Sequence, residues 1–138
     1  MRYLIDTNIL IRLRTDNALI TKDIFYIIKN PENLIYVSSI SVHEVFVLLQ
    51  GGRLNVSKWE NPKDVFNTIE KDLSFTINYV KKEHLLTFAN LEPVKGHNDP
   101  FDRMIIAQAI TEKMPLISSD RKMQYYKNQK LDFIFNEK

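Results

Sequence analysis

The chain alternates short apolar runs with longer stretches of helical period. Tyr3-Leu4-Ile5, Leu34-Ile35-Tyr36-Val37 and Leu116-Ile117 carry no polar alternation that would mark a solvent-facing side. Continuous runs of this kind suit strands covered on both faces, as in a parallel sheet. Phe75-Thr76-Ile77 and Phe133-Ile134-Phe135 read as weaker strands, the last as an edge strand.

Helices with recognisable starts lie between them. Thr21 is placed to cap a helix reaching about Lys29, with Pro31 just beyond its end. Ser41 opens a Ser-x-x-Glu capping box through Glu44, and Gly51-Gly52 closes that helix. Asn61-Pro62 and Asp99-Pro100 each set a cap residue before a proline at the first helical position. An amphipathic stretch from about Lys81 to Asn90 buries Leu85 and Phe88, and Met104, Ile105 and Ala109 form a core stripe at helical spacing. Strands alternating with helices imply βαβ units, hence an α/β fold with a mostly parallel sheet of about five strands. There is no internal repeat and no low-complexity tract.

Composition narrows the chemistry. A chain of 138 residues reads as one domain over residues 1–138, and a 44% hydrophobic and 11% aromatic content fits an ordinary globular core. The absence of cysteine excludes disulfides and thiolate metal sites, and three scattered histidines make no structural zinc site. A metal here would be held by oxygen, which favours Mg2+ or Mn2+. A net charge of +2 argues neither for nor against a nucleic-acid site. The apolar N-terminal run is too short for a signal peptide, and no run approaches the roughly eighteen apolar residues of a membrane span. The expected location is cytoplasmic.

Four acids fall at equivalent places in this layout. Asp6 ends the first strand, Glu44 lies in the first turn of the helix after the second strand, and Asp102 lies in the first turn of the helix opened by Asp99-Pro100. Asp120 follows Leu116-Ile117 by a Ser118-Ser119 step. Ligands of open parallel sheets bind outside the carboxyl ends of the strands, and all four acids belong to that edge. Converging carboxylates repel, and a divalent cation resolves the conflict while leaving positions for water and phosphate oxygens. Phosphodiester hydrolysis is the natural chemistry of such a set.

Each acid also has a purely structural reading. Glu44 fits a capping box, Asp102 complements the helix dipole, Asp99 is an N-cap, and Asp120 starts a turn. Asp6 is hardest to explain this way, because an acid closing a buried strand does nothing evident for stability. Arg103 is placed either to meet phosphate or to pair with an acid. His97 reads as a solvated loop histidine, and Trp59, Tyr125 and Tyr126 as packing residues in preference to base-stacking ones.

Leu4-Ile5-Asp6-Thr7-Asn8-Ile9-Leu10 resembles the opening motif of PIN domains. The segment from His97 to Ala109, with Asp99-Pro100-Phe101-Asp102-Arg103 at its centre, resembles the third-acid segment of VapC-like PIN proteins, and Ile117-Ser118-Ser119-Asp120 the end of their fourth strand. The ordered set, with Glu44 between, spans nearly the whole chain. The resemblance implies a three-layer α/β/α fold and Mg2+- or Mn2+-dependent cleavage of single-stranded RNA by the toxin of a type II toxin–antitoxin pair. It assigns metal coordination to Asp6, Glu44 and Asp102, and water-mediated coordination or positioning of the nucleophile to Asp120. Thr7 and Ser118 match hydroxyls beside the site, Asn8 a brace of the first loop, and Asp99 a cap first and an outer ligand second. It further implies a homodimer and a small antitoxin protein whose tail enters the acidic groove.

Three other readings compete with this one. A haloacid-dehalogenase-like phosphatase needs a second aspartate where Asn8 stands, and a receiver module needs an acid where Asn78 and Tyr79 follow the third strand. The third is a PIN fold that binds RNA or a partner without cutting.

Overall fold

A computed structural model describes residues 1–138. Its framework is one sheet of five strands: β1 (Arg2–Ile5), β2 (Leu34–Ser38), β3 (Thr76–Asn78), β4 (Leu116–Ser118) and β5 (Phe133–Phe135). The spatial order is β3-β2-β1-β4-β5, every neighbouring pair is parallel, and β5 is an edge as expected. The helices are α1 (Thr7–Thr15), α2 (Lys22–Lys29), α3 (Ser39–Gln50), α4 (Pro62–Asn67), α5 (Lys82–Asn90) and α6 (Pro100–Glu112), with a 3-10 helix over Arg121–Gln129.

The central strand sorts the helices into layers. Tyr3 and Ile5 enter a core with Ile9 and Leu10 of α1, Ile24 of α2, Val42 and Val45 of α3 and Val65 of α4. Leu4 enters the opposite core with Ile105, Ile106 and Ala109 of α6 and with Met123 and Tyr126. Successive side chains of a strand point to opposite faces, so β1 must be apolar throughout to serve both cores. Full burial of side chains such as Leu4 and Ile5 stabilises the fold by about 1.5–3 kcal/mol each. The result is the three-layer α/β/α sandwich that the alternation of elements implied.

Two helix readings are corrected. The helix after β2 starts at Ser39, with the Ser38 hydroxyl accepting from Ile40 N at 3.0 Å. Ser38 supplies the cap at the strand's end, so Ser41 is buried inside the first turn and Glu44 moves into the second. No Ser41–Glu44 capping box forms. In α5, Leu85 is 52% exposed and His84 is fully buried. His84 Nδ1 accepts from Lys81 N at 2.9 Å, and Nε2 lies 2.8 Å from a Glu112 carboxylate oxygen, which docks α5 on α6 through a polar residue. Phe88 is half-buried against the second core as expected. Gly51 closes α3, and Gly52, at φ 69°, takes the left-handed conformation that glycine adopts without strain.

Candidate active site

Parallel strands bring all their carboxyl ends to one edge. The chain steps outward from β1 to β2 to β3, then returns to lay β4 on the other side of β1 and β5 beyond it. The strand order therefore reverses between β1 and β4, and a crevice opens there at the carboxyl edge. Asp6 stands directly after β1, Ser118 is the last residue of β4, and Asp120 follows it by two.

Asp6 is 3% exposed. Its Oδ1 accepts from Thr7 N at 2.8 Å, and its Oδ2 accepts from the Ser118 hydroxyl at 2.6 Å and from Asn8 Nδ2 at 3.3 Å. Asn8 Oδ1 accepts from Ser119 N at 3.2 Å, so Asn8 ties the turn after β1 to the end of β4. Asp6 thus also does the structural work of an N-cap for α1. Burial raises its proton affinity above the ordinary carboxylate range, against the lowering effect of the Ser118 and Thr7 donors.

Thr7 reaches across to α3. Its hydroxyl lies 2.7 Å from Glu44 Oε1 and 2.8 Å from Ser41 Oγ. One hydroxyl carries one proton, so Thr7 donates to the carboxylate and accepts from Ser41. Glu44 is half-buried, and its pKa is raised by desolvation first and then by the charges of Asp6 and Asp99.

Asp99 caps α6, accepting from Phe101 N at 2.9 Å, and Pro100 takes the first helical position. Asp102 lies in the first turn of α6, within the field of the other acids. Its pKa is pushed up to about 8, mainly by burial and then by Asp6, Asp99, Glu44 and Asp120. Five acids, Asp6, Glu44, Asp99, Asp102 and Asp120, therefore share one field. Asp120 caps the 3-10 helix, accepting from Lys122 N at 3.0 Å, and its own N–H donates to Ser118 Oγ.

The structure corrects the reading of His97. It is buried, its Nδ1 lies 2.8 Å from the Tyr126 hydroxyl, and its Nε2 lies 3.4 Å from Asp102 Oδ2 without a hydrogen-bond partner. Ligand atoms of His97, Asp102 and Asp120 all lie within 4.8 Å of one another. Nothing local marked this histidine, because its partner Tyr126 is remote in sequence. Trp59 and Tyr126 pack in the cores as expected, and Tyr125 is largely exposed. Arg103 pairs with no acid; its guanidinium lies 4.9 Å from the centre of the Phe88 ring.

The donor set fits a hard divalent cation. Several carboxylates with raised pKa converge, and no lysine or arginine is paired with any of them. The largest concavity, about 460 Å³, lies elsewhere, between α3 and α4 around Phe46, Leu54 and Trp59.

Residues 3–129 match the family model described as PIN domain. The chain belongs to the PIN domain family. No curated protein matches it significantly in sequence. Among solved structures it is similar to VapBC2 from Rickettsia felis bound to a DNA fragment from the promoter, at 18% identity and a TM-score of 0.70, over 98% of each chain. It is also similar to VapBC-1 from nontypeable Haemophilus influenzae, at 19% identity and a TM-score of 0.67, over 100% of each chain. A toxin–antitoxin complex from Klebsiella pneumoniae follows at 19% identity and a TM-score of 0.62, over 97% of each chain. At such identities the likeness speaks for the PIN fold, and the chemistry has to be argued from the acids.

Proposed function

We propose that this PIN domain is a metal-dependent endoribonuclease that hydrolyses phosphodiester bonds of single-stranded RNA. The observation that carries the reading is the crowding of acids around Asp102, whose pKa is pushed up to about 8. Such a set is poorly stable by itself and is completed by a divalent cation. Asp6, Glu44 and Asp102 would hold Mg2+ or Mn2+, with Asp99 as an outer group. When bound, such an ion supplies an activated water and charge stabilisation at the phosphate.

The chain's own residues prepare that site. Ser118 and Asn8 fix the Asp6 carboxylate, and Thr7 fixes Glu44. Asp120, tethered as a helix cap beside Ser118, is placed to orient a nucleophilic water or to take its proton. Arg103 is our candidate for meeting a substrate phosphate. The site is an open edge instead of a closed cavity, which suits a polymer.

The biological setting follows by similarity. The solved relatives include VapBC assemblies and a toxin–antitoxin complex, and we take this chain to be the toxin of such a pair, working as a homodimer and silenced by a small antitoxin. No helix is long and apolar enough to cross a membrane.

The test is incubation of purified protein with single-stranded RNA, with Mg2+, Mn2+ or chelator, beside an Asp6→Asn variant. Metal-dependent cleavage that vanishes in the variant supports the reading. Absence of both cleavage and metal binding would overturn it and leave a PIN-shaped binding module.

A further inference from the structure

The imidazole of His97 is held at one end and unengaged at the other. Nδ1 lies 2.8 Å from the Tyr126 hydroxyl, while Nε2 is buried, 3.4 Å from Asp102 Oδ2 and without a hydrogen-bond partner. The ring also meets the Tyr126 ring edge-on, with centroids 5.2 Å apart, so its plane is fixed by packing. Tyr126 is fully buried, and its only hydrogen-bonded acceptor is His97 Nδ1. Of the other polar groups near the hydroxyl, Arg103 has donors only, and Asp102 acts on it by charge with no hydrogen bond. If the hydroxyl proton did not go to Nδ1, it would be left unsatisfied in the core, which is costly. The ring proton then sits on Nε2, and Nε2 cannot bind a metal while it carries that proton.

We infer that His97 is a positioning residue: a neutral Nε2–H donor, locked in that tautomer by Tyr126, which orients the Asp102 carboxylate at the edge of the acidic site. The inference rests on the proposed role of Asp102 in metal binding. Nε2 lies 3.4 Å from Asp102 Oδ2 with no hydrogen bond formed between them, so a turn of the carboxylate toward the ring is what would engage the donor. Asp120 offers an oxygen to the same small space, within 4.8 Å. A neutral donor beside Asp102 adds no charge that would compete with a cation. The alternative, His97 as a nitrogen ligand, requires the opposite tautomer and leaves the buried Tyr126 proton without an acceptor.

Two measurements on the full chain decide this. Long-range 1H–15N NMR of the metal-free protein reads the tautomer directly: we expect Nε2–H in the wild type and a mixture in Tyr126→Phe, which keeps the ring packing. Mn2+ titration followed by electron paramagnetic resonance reads the metal site. His97→Ala and Tyr126→Phe are expected to weaken Mn2+ binding about tenfold, the usual effect of losing a group that orients a ligand. His97→Gln, which keeps an amide donor near the Nε2 position, is expected to restore most of it, and a merely packing role would give no such rescue. Nδ1–H in the wild type, or nitrogen coupling to bound Mn2+, would overturn the inference in favour of ligation. Full Mn2+ affinity in folded His97→Ala, with affinity lost in Asp102→Asn, would overturn it outright. A wild type that binds no Mn2+ would instead defeat the proposed function on which it rests.

Discussion

The Ser118 hydroxyl donates to Asp6 Oδ2 at 2.6 Å, joining the end of β4 to the end of β1 across 112 residues of sequence. Ser118 Oγ also accepts from Asp120 N at 3.0 Å, so one buried side chain sets the spacing of two acids. Ser118→Ala removes the donor that opposes the raised proton affinity of Asp6. We predict a loss of about tenfold in Mn2+ affinity by calorimetry, with a stability loss of about 1 kcal/mol in urea. Unchanged Mn2+ affinity would remove Ser118 from the site.

Asp102 makes the metal-free fold sensitive to alkali. Its folded pKa, about 8, lies above its ordinary 3.8, so the native state holds a proton that the unfolded chain has already lost. Where the native state binds more protons, stability falls as pH rises. The loss is complete once pH has passed through the folded value. His97, lowered by burial, works in the opposite sense near and below its ordinary 6.5, so the window for Asp102 is pH 7 to 9. Metal-free protein should melt at a lower temperature at pH 9 than at pH 7. Asp102→Asn should flatten that slope, and Mn2+ should raise the melting temperature more at pH 9. A flat profile in the wild type would mean that the acids do not crowd as described.

Gln108 supports the site from below. It is fully buried on α6, its Nε2 donates to Asn78 O at 2.9 Å and Asn78 Oδ1 at 2.8 Å, and its Oε1 accepts from the Ser38 hydroxyl. It thereby fixes the carboxyl ends of β2 and β3 to the helix carrying Asp102. Gln108→Leu strands the buried Ser38 hydroxyl and removes the donor shared by the half-buried Asn78 O and Oδ1, and should cost about 2–6 kcal/mol in denaturant unfolding, at about 1–3 kcal/mol each for the hydroxyl and the Asn78 pair. A loss below 1 kcal/mol would show that water replaces these bonds.

The face of α5 is testable by a contrast of neighbours. Leu85→Lys, at a half-exposed position, should change stability by less than about 0.5 kcal/mol. His84→Ala, which unpairs Lys81 N and Glu112, should cost about 2 kcal/mol. The reverse order in thermal or urea melts would restore the apolar face read from sequence.

That contrast marks where the sequence was legible. The strands were legible because a strand such as β1, serving two cores, has no choice but continuous apolarity. Asp99-Pro100 was legible because a cap and a proline are local chemistry. The α5 face was not: Leu85 and Leu86 are apolar yet exposed, and the helix docks through His84, whose partner Glu112 is distant in sequence. Glu44 was assigned to the right helix but one turn too early, since Ser38, Ser39 and Ser41 all resemble caps and only the end of β2 decides among them. The acids at the strand ends follow from topology, whereas His97 depends on a tyrosine on another element.

The Asp6–Ser118 link also fixes when the acidic edge comes into being. Synthesis delivers Asp6 first and β4 last among the strands that flank the crevice. Until the ribosome has passed Ser118, a nascent chain lacks the hydroxyl that sets Asp6, and until it has passed Asp120 it lacks one of the four acids at the strand ends and helix starts. Native pairing of β1 with β4 closes a loop of most of the chain, a slow event by the standards of local contacts. The Asp6–Ser118 link and the fourth acid of the edge are therefore available only after residues up to Asp120 have been made.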